Sequence, residues 1–422
     1  MVMWLFVFNI SWFIIAVLFK LYSFRSINNV EGLFRSPWKV TLLHIVLITL
    51  LFFIGGNLMT VKLISLSICY ITVIAGLIAS RCFITYIIEF VINKGNLKKK
   101  TAIIGFDTKA KALGSYFSNP KSIYAFQGYF SDNRYVSFID KNGNILAPIE
   151  RSIDYALENG IQEIYSTLPD KDSSINKILE IAENNCIRIK FIDKDVFVTK
   201  GNPLPHCMMD QCKVLNIRKE PLENLNNKIK KRAFDIVVSL FVIAFILTWL
   251  IPLVAILIKL ESKGPVFFIQ KRSGRNNQVF RCIKFRSMHM SEDCDIKQAS
   301  RNDSRIMGIG AFLRRNNIDE MPQFLNVLIG SMSVIGPRPH MLAHTAQYSK
   351  IVSSFMVRHL ITPGISGWAQ VNGLRGEIEE PILMEKRVSH DIWYLENWSL
   401  MLDIKIVFMT IVNIFKGDDK AY

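Results

Sequence analysis

The 422-residue chain is 50% hydrophobic and sets 51 Lys and Arg against 35 Asp and Glu, a formal net charge of +16. It is more apolar than a soluble enzyme needs, and its charge favours anionic partners: an anionic membrane leaflet or phosphorylated substrates. No zinc finger, basic helix-turn-helix or RNP run is present, which argues against nucleic acid, and the seven scattered cysteines form no CxxC pair, which argues against a zinc site or a disulfide framework.

Three apolar runs open the chain, at 2–19, 38–54 and 63–79, the last continuing past Arg81 to about 92. Each approaches the roughly 20 residues that cross a bilayer as helix. A signal peptide is the alternative for the first run, but it lacks a basic n-region and an Ala-x-Ala site. Lys20, Arg25, Arg35 and Lys39 lie between the first two runs, and Lys94, Lys98, Lys99 and Lys100 follow the third. The positive-inside rule then puts the N-terminus outside and everything beyond residue 93 in the cytosol.

Residues 100–200 alternate strand-like and helix-like runs. Strands are expected at 101–105, 123–130, 161–166 and 187–191, and helices at 109–117, 153–158 and 174–183. This alternation predicts a parallel, Rossmann-like sheet. The first turn, from Gly105 to Ala110, keeps only the first glycine of a Gly-x-Gly-x-x-Gly fingerprint. The domain therefore reads as a scaffold or regulatory module. Pro203, Pro205 and Pro221 mark a linker at 201–227. His206, Cys207, Asp210 and Cys212 within it read as linker residues rather than as a metal site.

A fourth apolar run, 234–260, has basic residues on both sides: Lys228, Lys230, Lys231 and Arg232 before it, Lys263, Lys271, Arg272 and Arg275 after it. A simple crossing conflicts with the positive-inside rule, whereas a helix that enters and returns on one side does not. Pro252 removes one backbone hydrogen bond and frees the Thr248 carbonyl, for which the Thr248 hydroxyl is a candidate partner. A plain fourth crossing with a tolerated kink is the other reading.

The chemistry concentrates in 314–339, RRNNIDEMPQFLNVLIGSMSVIGPRP. Pro322 suits a first helical turn, so a helix is expected to begin at or just before Asp319. Asp319 and Glu320 then sit at a helix N-terminus, where the dipole favours ionised carboxylates able to attack or to hold Mg²⁺. Ordinary helix capping is the bland alternative. Arg314 and Arg315 lie just upstream, and Arg338 is fixed between two prolines, with a fork suited to phosphate; a mere helix terminator is the alternative for that turn. The 363–373 loop, PGISGWAQVNG, offers one aromatic and two amides to a base or sugar, or is only a tight connection. The amphipathic 400–415 run suits either the bilayer interface or the domain core.

KRAFD (231–235), GPVFF (264–268), KFRSM (284–288), the DE-x-PQ block (319–323), GPRP (336–339) and PGISGWAQVNG stand in the order found in bacterial sugar transferases, the monotopic phosphoglycosyl transferases. The resemblance covers about 228–422. The front of the chain resembles the larger members, such as undecaprenyl-phosphate glucose phosphotransferases. The resemblance implies transmembrane helices at 1–93, a Rossmann-like domain at 100–200, the linker, and a mainly helical catalytic domain at 228–422 with a re-entrant membrane helix broken at Pro252.

It also implies a two-step reaction. Asp319 attacks the β-phosphate of a UDP-sugar, UMP leaves, and polyprenyl phosphate takes the sugar phosphate from the enzyme, which initiates exopolysaccharide, capsule or O-antigen synthesis. Mg²⁺ at Asp319 and Glu320 is implied, with Arg314 and Arg338 on phosphates; Lys284 and Arg286 of the KFRSM run are further cations for substrate. Glucose is the favoured sugar. The implied place is the inner (cytoplasmic) membrane, multi-pass, with membrane lipids as partners and the catalytic domain on the cytoplasmic face; a homo-oligomer stays open. Ile251 stands where family members often have Ser, and three N-terminal runs stand where the larger members usually have four spans. One rival is a membrane-bound nucleotide-sugar dehydratase or epimerase, which needs the missing glycine fingerprint. Another is a scaffold with a degenerate site, which predicts loss of the Asp-Glu pair.

Overall fold

The computed structural model describes residues 2–19, 21, 30–54, 63–94, 98–119, 124–131, 138–139, 145–168, 173–192, 214–216, 218–289, 303–376 and 381–416. The His206, Cys207, Asp210 and Cys212 group lies outside them. The chain divides into two compact units, Met1–Lys98 and Lys99–Tyr422.

The first unit is three helices, Val2–Leu18, Val30–Ile54 and Leu63–Lys94. Their apolar side chains face outward as well as inward: Phe6, Phe13, Phe53 and Phe83 are exposed. Polar groups pair internally, as they must where no water competes. His44 meets Ser11 Oγ at 3.0 Å and Tyr70 OH at 2.8 Å, and Arg81 donates to the Leu21 carbonyl at 2.7 Å. The described apolar stretches here, Phe6–Leu18, Pro37–Leu51 and Ser67–Phe83, are short; the helix that is long and apolar enough to cross a membrane is Leu225–Glu261.

The second unit opens with a seven-stranded sheet. Its strands are β1 (Lys99–Ile104), β2 (Tyr124–Ser131), β3 (Phe138–Ile139), β4 (Ile145–Pro148), β5 (Glu163–Ser166), β6 (Arg188–Ile192) and β7 (Val214–Asn216), in the order β3-β4-β2-β1-β5-β6-β7. The central pairs are parallel, while β3 and β7 run antiparallel at the two edges. Helices Thr108–Phe117, Ser152–Asn159 and Ser173–Asn184 supply the crossovers. β1 and β5 read TAII and EIYS and are buried on both faces, which is why they lack alternation. The expected strands and helices of this region appear within a few residues. The additional strands β3, β4 and β7 are two to four residues long, too short for a periodic signal.

The C-terminal part of this unit then runs from the Leu225–Val242 helix through a π-turn at Ile243–Leu247 into Thr248–Glu261. The irregularity thus sits a turn ahead of Pro252, and the helix continues through the proline to Glu261. Thr248 Oγ donates to the Ala244 carbonyl at 2.9 Å, not to its own, and Trp249 Nε1 donates to the Phe245 carbonyl at 2.8 Å. These side chains serve carbonyls that the widened turn would leave poorly bonded. One face of the helix (Val242, Leu250, Val254, Ile258) packs on Phe285, Met307 and Leu313; the other leaves Val237, Phe241, Phe245, Trp249 and Leu260 exposed.

Beyond it lie the hairpin β8 (Phe267–Ser273) and β9 (Val279–Phe285), the helices Gly308–Arg315 and Gln323–Ile329, and a parallel pair, β10 (Ser333–Ile335) with β11 (Gly364–Ser366). Helices Pro381–Asn397 and Leu400–Lys416 close the fold. KRAFD staples the long apolar helix to this body. Asp235 accepts from Ser333 Oγ (2.9 Å) and the Val334 amide (3.0 Å). Lys231 bonds the Ile335 carbonyl and Asp403, both at 2.8 Å, and Arg232 caps the Val327 and Leu328 carbonyls. Tyr394 and Trp398 also donate to Asp403, which is fully buried. The spacing of these residues in the sequence thus records a structural lock.

Candidate active site

The Asp-Glu pair sits in a single 3-10 turn, Ile318–Glu320, and the helix begins only at Gln323, with Pro322 as its cap. The expected helix start at Asp319 is therefore displaced by a turn. Asn317 takes a left-handed conformation (φ 55°), which Asn tolerates, just ahead of the turn from which Glu320 meets Lys284 of the hairpin. Both residues are buried, Asp319 at 8% and Glu320 at 7% exposure.

Glu320 is gripped from two directions. Arg338 forks onto it, Nη1 to Oε2 at 3.0 Å and Nη2 to Oε1 at 2.6 Å, and Lys284 of β9 reaches Oε1 at 2.5 Å. Burial pushes the Glu320 carboxyl up, but the charges and hydrogen bonds of Arg338 and Lys284 outweigh it and hold the group well below the ordinary carboxylate range. Asp319 is the opposite case. No described side chain bonds its carboxylate. Burial raises its pKa, Lys284, Arg314 and Arg338 oppose that, and the adjacent Glu320 charge adds to the rise, so the net direction is upward. A carboxylate with no side-chain hydrogen bond among the described residues thus lies beside an ionised glutamate and three cations.

Of the other expected site residues, Lys284 and Arg338 meet at Glu320, and Arg314 acts on Asp319 through its charge, its Nη1 lying 3.4 Å from Met288 Sδ. Arg286 is placed elsewhere. It is buried, and its guanidinium donates to the Lys263 and Ser262 carbonyls at 2.9 and 2.8 Å, tying down the end of the Thr248–Glu261 helix. Trp368 stacks on Trp393 with centroids 4.9 Å apart, so one ring face is already covered. Gly336 and Gly364 let β10 and β11 touch: a Cβ on Gly364 would lie 2.1 Å from the Gly336 nitrogen.

Three residues beneath the site were not singled out for it from the sequence. Arg358 is buried, donates to the Arg338 carbonyl at 2.9 Å, lies 3.0 Å from His340 Nε2 and pairs with Asp391 at 2.8 Å. Arg272 of β8 donates to the Pro339 carbonyl at 2.7 Å. Together they fix the backbone of the GPRP turn. His340 adjoins that turn, which was the available signal; nothing in the local sequence marks Arg358.

A magnesium ion can be tested against these donors. No cluster of three His, Cys, Asp or Glu suited to a metal occurs among the described residues. Mg²⁺ needs less, since it keeps several waters and takes one or two carboxylates plus substrate phosphates. The open Asp319 carboxylate fits that role directly; Glu320 fits only if Lys284 or Arg338 leaves it for a substrate phosphate.

A buried, cation-ringed carboxylate beside a long apolar helix suits phosphoryl chemistry close to a membrane. The bacterial sugar transferase family matches residues 226–417, and a CoA-binding domain family matches 18–192. A UDP-glucose:undecaprenyl-phosphate glucose-1-phosphate transferase of Xanthomonas campestris pv. campestris is 33% identical over 83% of this chain and 73% of its own length. One of the same name from Escherichia coli (strain K12) is 35% identical over 81% and 72%. A UDP-N-acetylgalactosamine-undecaprenyl-phosphate N-acetylgalactosaminephosphotransferase of Aeromonas hydrophila is 43% identical over 44% of each chain. The chain belongs to the bacterial sugar transferase family.

Proposed function

We propose that this protein transfers glucose-1-phosphate from UDP-glucose to undecaprenyl phosphate, initiating an exopolysaccharide, through a phosphosugar ester on Asp319. The observation that carries the reading is that two relatives of the same named activity align with more than four fifths of this chain, middle domain and transferase part together.

An Asp319 carboxylate oxygen attacks the β-phosphorus; the bond from that phosphorus to the bridging oxygen breaks, and UMP leaves with the electron pair. A phosphate oxygen of the polyprenyl acceptor then attacks the same phosphorus, expels the Asp319 carboxylate and forms the diphosphate. Glu320, held by Lys284 and Arg338, keeps two cations beside the reacting phosphorus, where charge develops. Arg314 adds a third. The Arg358 contact with the Arg338 carbonyl sets the angle of approach. A magnesium ion shared by Asp319 and substrate phosphates would neutralise the diphosphate when bound.

The enzyme works at the inner (cytoplasmic) membrane. We place the three N-terminal helices across the bilayer and the Leu225–Glu261 helix in the cytosolic leaflet, entering and leaving on one side. Both of its ends hold the same body, which supports that placement. Asp235 binds β10, and Glu261 accepts from the Gly308 and Ile309 amides. The outward Phe241, Phe245 and Trp249 suit acyl chains and headgroups. Membranes supplied with undecaprenyl phosphate and a panel of UDP-sugars should release UMP fastest from UDP-glucose. Release only from an N-acetylated donor would change the sugar, and no lipid-dependent UMP release from any donor would overturn the activity.

A further inference from the structure

A cavity of about 270 Å³ separates the sheet from the transferase part. It opens at the N-terminal ends of β1, β5 and β6, the edge opposite the strand C-termini where doubly wound folds hold nucleotides, and Asp319 does not line it. Lys99, Arg188, Lys228 and Arg275 do.

The acids around the cavity are already matched. Glu163 takes Lys99 at 2.5 Å and Lys190 at 3.3 Å. Glu220 takes Arg188 at 2.9 Å, Glu223 takes Lys190 at 2.9 Å, and Asp235 is bonded by Ser333 and the Val334 amide. Lys228 and Arg275 are left over: neither side chain is bonded to any described residue. Burial and the nearby Arg188 charge push the Arg275 guanidinium below its usual pKa, against the opposing charges of Glu220 and Glu163, both of which already pair with other cations. Leu222, Leu360 and Ile361 form an apolar wall beside these cations.

We propose that this cavity is a second ligand site, which binds a small phosphorylated anion with its phosphoryl group between Lys228 and Arg275 and any organic part against Leu222, Leu360 and Ile361. Two cations that line one cavity without a side-chain bond can hold a dianion, and the apolar wall allows it to carry a ring or chain. Ser333 and Ile335 also line the cavity, and β10 runs from them straight into the Gly336–Arg338 turn. A ligand therefore touches the strand that positions Arg338, and occupancy is felt at Glu320. This second site does not depend on the donor or acceptor assigned above.

The test uses the full chain in lipid nanodiscs, titrated separately with inorganic phosphate and with UMP and followed by hydrogen–deuterium exchange. Saturable protection of 99–104 and 221–232 is expected, unchanged in Asp319→Asn. In Lys228→Gln/Arg275→Gln the affinity falls about tenfold or more, and Lys228→Arg/Arg275→Lys, which keeps both charges, restores most of it. Saturation by phosphate alone supports a site that reads the phosphoryl group; saturation by UMP only supports one that also uses the apolar wall. Protection confined to 314–338, equal affinity in the charge-neutral double variant, or no saturable protection by either probe overturns the proposal.

Discussion

The middle domain and the transferase part each present a glycine-bearing turn where phosphate chemistry is expected, and they use it differently. In the middle domain Gly105 has φ 118°, and a Cβ there would lie 2.1 Å from Thr167 Oγ. Thr167 packs directly against this glycine, and Lys111 lies over the Phe106 ring. In the transferase part the Gly336–Arg338 turn aims a guanidinium at Glu320 and leaves the neighbouring Asp319 carboxylate without a bond. One turn is closed by packing. The other is kept open by surrounding an acid with cations it does not touch. A reactive site is thus marked by unmatched groups held in place, not by the glycines alone.

The contrast predicts a ranked set of effects. Asp319→Asn should lose UMP release by on the order of 10⁴-fold or more, measured in single turnover, with the fold intact by circular dichroism; retained activity would remove Asp319 as nucleophile. Glu320→Gln should slow release by about 10²-fold and shift the pH profile. In the wild type, burial and the Glu320 charge raise the Asp319 pKa, so the nucleophile protonates, and the rate falls, at a higher pH than for an ordinary aspartate. Removing the Glu320 charge frees Lys284 and Arg338 to favour ionised Asp319, so the acid limb should move to lower pH. An upward shift would contradict the assigned coupling.

Lys231→Met strands the buried Asp403 carboxylate and should cost about 3–5 kcal/mol of stability, read by chemical unfolding in detergent. Lys231→Met/Asp403→Leu should recover part of that loss. Gly105→Ala should lower the melting temperature through a strained backbone and a clash, at about 1–3 kcal/mol, yet leave UMP release within about twofold. A large loss of activity there would mean that the middle-domain turn takes part in the reaction and would collapse the comparison.

Much of this was legible in the residues. The parallel sheet showed in the alternation of 101–191, and the candidate site in the clustering of Arg314, Asp319, Glu320 and Arg338. What misled was local. Pro322 pointed to a helix over the Asp-Glu pair, but the left-handed Asn317 inserts a 3-10 turn first. Pro252 pointed to a break at its own position, but a π-turn one turn earlier takes the irregularity. Arg286 has the composition of a phosphate ligand, and only its neighbours reveal that it caps a helix end.

The sequence by itself determined the chemistry on offer: apolar runs of membrane length, an excess of cations, and an acidic pair between arginines in a motif order shared with one family. These are properties of composition and spacing, which survive without coordinates. Only the tertiary structure decided which acid is gripped and which is open, that Arg358 stands behind Arg338, and that Lys228 and Arg275 line a cavity whose acids are bonded to other residues. Those outcomes depend on contacts between residues far apart in the chain, where burial and neighbouring charge set whether a group is a strut or a reactant.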